Sequence, residues 1–315
     1  MTNNKSQITN AIEAIKANMP DVIYKLNEPM KKYSSFKIGG MVRIMVFPGD
    51  VISLMDVCNL LNGYDITPLI IGNGSNLLVS DEFHEIVMIN TSKLNNISIV
   101  NNLPAASRKY CGINVDAGAL LSKVALFAYE NGLTGFEFAL GIPGTLGGAI
   151  VMNAGAYGNE MKDVVYSTTA FNCKDGMFTL TTEGNGFSYR QSRFTRTEDV
   201  VLSSVLRLQA GDKASIKQKM DDLGARRRES QPLDLPSGGS TFKRPGAGYA
   251  AALIEQAGLK GFSIGGAQVS EKHCGFIVNN GDATFKDVID VIEHVQDVVF
   301  EQLGIQLEPE IKIVR

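Results

Sequence analysis

Apolar residues recur at helical spacing from Ile8 to Met19, which predicts an N-terminal helix. The segment YSSFKIGG, Tyr33 to Gly40, leads into an alternating stretch, Val42 to Phe47, that reads as a strand ended by Pro48. A helix is predicted from Val51 to Leu61. A short apolar strand, Leu69 to Ile71, then runs into Gly72-Asn73-Gly74-Ser75-Asn76 and out into Leu77, Leu78 and Val79. Strands are expected at Ile86 to Asn90, Ile97 to Val100 and Ile113 to Ala117, followed by a helix from Leu120 to Glu130. Further strands are expected at Val164 to Phe171, Phe178 to Thr182 and Val200 to Leu208. Beyond Gln209 the composition shifts to a charged, exposed helix, Ala214 to Ser230, with Arg226, Arg227 and Arg228 near its end. Those arginines read as a solvated helix terminus favoured by the dipole. The C-terminal part predicts strands around Gln268 and at Phe276 to Asn279, a long amphipathic helix from Phe285 to Leu303, and a last strand from Gln306 to Val314.

One stretch fits neither period. Gly135 to Met161, GFEFALGIPGTLGGAIVMNAGAYGNEM, is rich in glycine and nearly uncharged. As a long helix it would lose about 1 kcal/mol per glycine relative to alanine. As a linker it would leave Phe136, Phe138, Leu140, Ile142 and Leu146 in water. Backbone pressed against a flat or phosphorylated ligand fits better, with Gly147 to Met152 opening a short helix whose N–H groups face an anion. A tightly packed structural turn is the plainer alternative. The earlier loop Gly72 to Asn76 has the residues of an anion-binding nest. Leu77 stands where a dinucleotide fingerprint has its third glycine, and no Gly-Lys-Ser/Thr follows. Its simpler reading is a hairpin turn.

The chain has 315 residues, 44% hydrophobic and 20% charged, enough for two or three globular domains. A net charge of −3 gives no reason to expect nucleic acid as a partner. No signal-peptide core and no membrane-length apolar run is present, so a cytoplasmic protein without a membrane partner is the expectation. Cys58, Cys111, Cys173 and Cys274 form no CxxC pair, and His84, His273 and His294 are scattered; no metal site is expected.

The pieces SSFKIGG, IGNGSNLLVSD, GIPGTLGGAIVMNAGAYG, YRQSRF, GGSTFKRP, AALIEQAGLKG, GGAQVSEKHCGFIVN and LEPEIKI fall in order along the chain. Together they resemble the signatures of the UDP-N-acetylenolpyruvoylglucosamine reductase family, in its shorter type II subgroup, from about Tyr33 to the end. The resemblance implies an α+β protein. Its FAD-binding domain would have two lobes of the vanillyl-alcohol-oxidase (PCMH) type, residues 1–92 and 93–212. A C-terminal α+β domain, residues 213–315, would bind substrate. The family's reaction takes hydride from NADPH to a non-covalent FAD, then to C3 of the enolpyruvyl ether of a UDP-sugar, while C2 receives a proton. This forms UDP-N-acetylmuramate for bacterial peptidoglycan.

Carried onto this chain, the resemblance assigns FAD contacts to Gly72, Asn73, Gly74, Ser75 and Asn76, and to Gly141, Ile142, Pro143, Gly144 and Thr145. Gly148, Asn153, Ala154 and Gly155 would line the flavin. Arg190 would fork onto an enolate or carboxylate oxygen; on its residues alone it is a surface arginine in a loop. Ser240, after a double glycine, would be the proton donor, and alone it is a turn serine. Glu310 would meet the enol intermediate, and alone it is a solvated edge-strand residue. Glu308, two positions away, shares its expected strand face and competes with it. Tyr189, Lys260, Gln268 and Asn279 are the substrate candidates, and Lys243 and Arg244 would meet the diphosphate. Met41-Val42-Arg43 departs from the family's usual turn, and Cys274 stands where alanine is common. The rival readings are another FAD-dependent oxidase or dehydrogenase of the same fold, and a non-catalytic nucleotide-binding homologue.

Overall fold

The computed structural model describes residues 5–100, 103, 110–246 and 248–315. It divides into two compact units, each assembled from three stretches of chain. The first comprises Met1–Asn27, Arg43–Asn73 and Glu85–Ala225; the second comprises Glu28–Val42, Gly74–His84 and Arg226–Arg315.

The first unit carries two hydrophobic cores. In one, the helices Lys5–Asn18 and Val51–Asn62 cover a four-stranded sheet in the order Ile23–Pro29, Met41–Phe47, His84–Asn90, Leu69–Ile71. The second helix starts on a reciprocal cap. Ser53 N–H donates to Asp50 Oδ1 at 2.7 Å, and Asp50 N–H donates to Ser53 Oγ at 3.1 Å. Its Leu54, Val57, Cys58 and Leu61, spaced three and four apart, are buried. In the other core, antiparallel strands run in the order Gly176–Thr181, Val165–Asn172, Val200–Ala210, Tyr110–Asp116, Ile97–Val100, with Leu133–Thr134 paired to the long central strand. The helix Leu121–Glu130 and the short helix Leu146–Val151 share their apolar cluster.

The second unit is built on the helix Phe285–Leu303. Thr284 and Asp287 cap it reciprocally, and Gly304 ends it in a left-handed conformation at φ +66°. Val288, Val291, Ile292, Val295 and Val299 form its buried stripe. The stripe shares a core with Ala267, Val269 and Ile277 of a four-stranded sheet, ordered Ser237–Ser240, Phe276–Asn279, Ala267–Val269, Ser263–Ile264. Among the described residues no helix is long and apolar enough to cross a membrane.

Two expectations fail here. Leu69–Ile71 and Leu77–Val79 do not form a hairpin: the first pairs in parallel with Met88–Asn90, the second with Lys312–Val314. The last strand is also shorter than Gln306 to Val314. Ahead of Lys312 only one bridge forms, Phe242 to Pro309, and proline lacks the N–H a continued ladder needs. The charged helix is present as Lys213–Ser230, with only Ile216 and Met220 buried.

Candidate active site

In the first unit the loop after Leu69–Ile71 meets the glycine-rich stretch. A β-carbon on Gly72 would fall 2.1 Å from Thr145 Oγ1, so only glycine lets the two loops touch. Asn73 Nδ2 donates to Pro143 O at 2.6 Å. On its other side the glycine-rich loop is pinned by main chain. Leu121 N–H donates to Gly144 O (3.0 Å), Leu146 N–H to Ala119 O (2.9 Å) and Gly147 N–H to Ala117 O (2.8 Å). Thr145 is extended (φ −97°, ψ 164°) and precedes the short helix without capping it. Its Oγ1 is buried with no hydrogen-bond partner. Neither Gly72–Asn76 nor Gly141–Thr145 contains a carboxylate or any other charged side chain. An orphaned hydroxyl, a cradle only glycine permits and uncharged walls suit the pyrophosphate of FAD.

The same stretch continues through Asn153 (φ +42°) into the hairpin Gly155–Ala156/Asn159–Glu160. Asn153 is fully buried, and its side chain is hydrogen-bonded to Glu160, Ser188 and Lys162. Ala154 N–H donates to Ala149 O at 2.8 Å. Gly148 lies on the short helix, where an added β-carbon would meet nothing closer than 3.7 Å. Arg190 occupies a tight turn between Ser188 and Gln191. Its Nη2 donates to Gly155 O at 3.4 Å, and its guanidinium lies over the Tyr189 ring at 5.1 Å. Tyr189 is 44% exposed.

In the second unit Ser240 and Glu310 are joined through one residue. Thr241 is buried. Its N–H donates to Gly275 O (2.8 Å), its Oγ1 accepts from Ile277 N–H (3.1 Å) and its carbonyl accepts from Glu310 N–H (2.7 Å). Asn76 brackets Glu310 from the other side: its Nδ2 donates to Glu310 O at 3.3 Å and its carbonyl accepts from Lys312 N–H at 2.9 Å. Ser240 is exposed beside Gly239, which takes φ +82°. Glu310 is half-buried, whereas Glu308 is exposed and ion-paired to Lys243 Nζ. Thr241 escaped the sequence reading; the signal available was only its place beside Ser240.

The substrate candidates differ in what their side chains have left to offer. Asn279 is buried; its Nδ2 donates to Phe36 O at 3.0 Å and its Oδ1 accepts from Gly281 and Ala283 N–H, each at 3.1 Å. Gln268 Nε2 donates to Gly261 O at 3.2 Å, and its Oε1 accepts from Asn280 Nδ2 at 3.5 Å. Lys260 pairs on the surface with Glu255 at 3.0 Å, and Arg244 lies over Tyr249 at 4.1 Å. Ser35 Oγ donates to Ser237 O at 2.5 Å, and Ser35 N–H to Gly74 O at 3.2 Å. The departing turn is accommodated: Val42 is buried, and Arg43 forks onto Glu85 at 2.6 and 2.9 Å. Cys274 is buried as a small apolar residue, with its thiol pushed up by burial.

Comparison with known proteins bears on both units. Residues 42–182 match the model of an FAD binding domain, and residues 231–314 match that of the UDP-N-acetylenolpyruvoylglucosamine reductase C-terminal domain. The chain is 48% identical over 303 residues to the UDP-N-acetylenolpyruvoylglucosamine reductase of Caldanaerobacter subterraneus subsp. tengcongensis, covering 96% of this chain and 97% of that one. It is 44% identical to the Clostridioides difficile protein of the same name, covering 92% and 93%. The crystal structure of UDP-N-acetylenolpyruvylglucosamine reductase from Thermus caldophilus is similar with a TM-score of 0.76 and 31% identity, over 93% of this chain and 99% of that one.

Proposed function

Because the chain belongs to the UDP-N-acetylenolpyruvoylglucosamine reductase family, we propose that it reduces UDP-N-acetylglucosamine enolpyruvate to UDP-N-acetylmuramate in the bacterial cytoplasm, with NADPH as reductant. FAD held by Gly72–Asn76 and Gly141–Thr145 supplies the hydride chemistry. Ser240 delivers a proton to C2, on a residue that Gly239 leaves exposed. Arg190 holds and stabilises the negative oxygen that develops on the enolpyruvyl group, where its fixed charge acts without giving up a proton. Glu310 hydrogen-bonds to the same intermediate. Lys260, Gln268, Asn279 and Tyr189 serve the sugar-nucleotide side, Asn279 by shaping the backbone around Phe36. We assign a three-part organisation, 1–92, 93–212 and 213–315, each part supplying most of one apolar cluster, with Phe36, Ile38 and Leu78 joining the C-terminal cluster and Ile216 and Met220 the central one.

The observation that carries the choice of acid and partner is Thr241. It ties the residue after Ser240 to the main chain of Glu310 within one hydrogen bond of 2.7 Å. Glu308, by contrast, faces solvent with a lysine partner. The test is the visible spectrum under anaerobic conditions. An oxidised flavin band should bleach with NADPH and return with the enolpyruvyl substrate. Return only with oxygen would point to an oxidase, and no bound flavin would point to purely structural loops. Ser240→Ala should slow the substrate half-reaction strongly and spare NADPH oxidation; equal loss in both halves would make Ser240 structural.

A further inference from the structure

Arg190 sits in a conformation that an arginine seldom takes. Ser188 N–H donates to Gln191 O at 2.9 Å and Gln191 N–H returns the bond to Ser188 O at 3.2 Å, a two-residue turn with Arg190 at φ +54°. Left-handed backbone costs a side-chain-bearing residue on the order of 1 kcal/mol, so neighbouring contacts must over-determine it. Those contacts converge on Asn153. Its Nδ2 donates to Ser188 O at 3.0 Å and to Glu160 Oε2 at 2.9 Å, while its Oδ1 accepts from Lys162 N–H at 3.0 Å. Lys162 Nζ also pairs with Glu160 at 2.8 Å. The far end of the turn is tied down by Ser192 Oγ, which donates to Val151 O at 2.9 Å. The guanidinium donates to Gly155 O, two residues beyond Asn153.

We propose that Asn153 is a positioning residue for Arg190: its buried carboxamide clamps the Ser188–Gln191 turn to the Gly155–Glu160 hairpin and thereby sets where the guanidinium stands. The inference rests on the role given to Arg190 above. Asn153→Gly is the informative variant, because glycine keeps the left-handed backbone and removes only the carboxamide. In the FAD-loaded protein, oxidation of the reduced flavin by the enolpyruvyl substrate should slow roughly 10- to 100-fold. Reduction by NADPH should lose at least about tenfold less. Combined with Arg190→Lys, the variant should lose little beyond Arg190→Lys alone. A readout independent of turnover is the Arg190 Nε–H NMR signal, assigned by its absence in Arg190→Lys. It should move toward the free-arginine position in Asn153→Gly. Losses that multiply in the double variant, or an unmoved Arg190 signal, would overturn the proposal. Should Asn153→Gly not fold, Asn153→Ser takes its place, since the shorter side chain cannot span to both Ser188 O and Glu160. It should shift the signal in the same direction, and no shift overturns the clamp. A parent protein that never turns over the enolpyruvyl substrate would defeat the functional reading, while the NMR signal would still decide the clamp.

Discussion

Replacing Gly72 by alanine tests the contact on which both glycine-rich loops depend. The new β-carbon would lie 2.1 Å from Thr145 Oγ1, 3.1 Å from its Cβ and 3.2 Å from its Cγ2. Ordinary contact begins near 3.4 Å, so the first distance is more than an ångström short. Rotating Thr145 gives limited relief, because a β-branched side chain is stiff at χ1 and one of its two other rotamers swings the methyl into the vacated place. The loops themselves must part, at an overpacking cost of about 1–3 kcal/mol. Parting also strains the 2.6 Å bond from Asn73 to Pro143. Thr145→Ala removes the two side-chain atoms beyond Cβ, at 2.1 and 3.2 Å, and keeps the Cβ contact at 3.1 Å. It sacrifices no cap, since Thr145 makes none, and it deletes an unpartnered hydroxyl. The double variant should therefore recover about 1 kcal/mol or more relative to the sum of the singles. Chemical denaturation of the apoprotein measures the stability side, and quenching of flavin fluorescence measures FAD affinity. Gly72→Ala should weaken FAD roughly tenfold, equivalent to about 1.4 kcal/mol. Additive singles, or a Gly72→Ala protein unchanged in both assays, would refute the idea that this contact shapes the cofactor loop.

Glu137 offers a pH test. It is buried at the start of the glycine-rich stretch, where Thr134 Oγ1 (2.6 Å), Gly135 N–H (3.1 Å) and Lys219 Nζ (3.0 Å) donate to its carboxylate. Burial pushes its pKa up, but the hydrogen bonds and the lysine outweigh it and hold the group below its ordinary 4.5. Its stabilisation is therefore present above that ordinary value and is lost as pH falls through the lowered folded value. Glu137→Gln should cost roughly 2 kcal/mol at pH 7, and the gap from the parent should narrow in strong acid; urea denaturation showing a constant gap would contradict this. Among the cysteines, Cys58 is buried and its thiol is pushed up to about 12, whereas Cys173 is exposed. Peptide mapping after brief alkylation should find Cys173 labelled and Cys58 untouched until the protein unfolds.

Elements that state their partners locally were legible. The Phe285–Leu303 helix has its apolar stripe, its Thr-x-x-Asp cap and its terminal glycine within its own sequence. The two glycine-rich loops stood out in composition as fitting neither a helical nor a strand period, whereas the assignment of Arg190, Ser240 and Glu310 came from the resemblance and not from any local pattern. What stayed hidden was non-local. Leu77–Val79 looks like half of a hairpin because its partner, Lys312–Val314, lies at the other end of the chain. The strand Ile23–Pro29 lacks clean alternation, with most of its residues at least partly exposed. The helix Ala250–Gln256 is too short and alanine-rich to show a period. Asn153 lies in a run of small residues, and nothing in that run indicates that its side chain turns inward to hold a second loop.

The pairing of Leu77–Val79 with Lys312–Val314 also governs how the molecule is made. On the ribosome, Leu77 emerges more than two hundred residues before its partner, and the second unit draws on three stretches of chain ending at Arg315. That unit cannot close during most of translation. Through that interval Leu78 and Val79, fully buried in the finished protein, stay on an open edge beside the glycine loop. Ser80 N–H, whose acceptor is Val314 O at 2.9 Å, waits with them. Nascent chains stalled before residue 312 should be conspicuously sensitive to proteolysis near residue 80. Deleting residues 312–314 should thus disturb the segment around Leu77 first, far from the lesion in sequence.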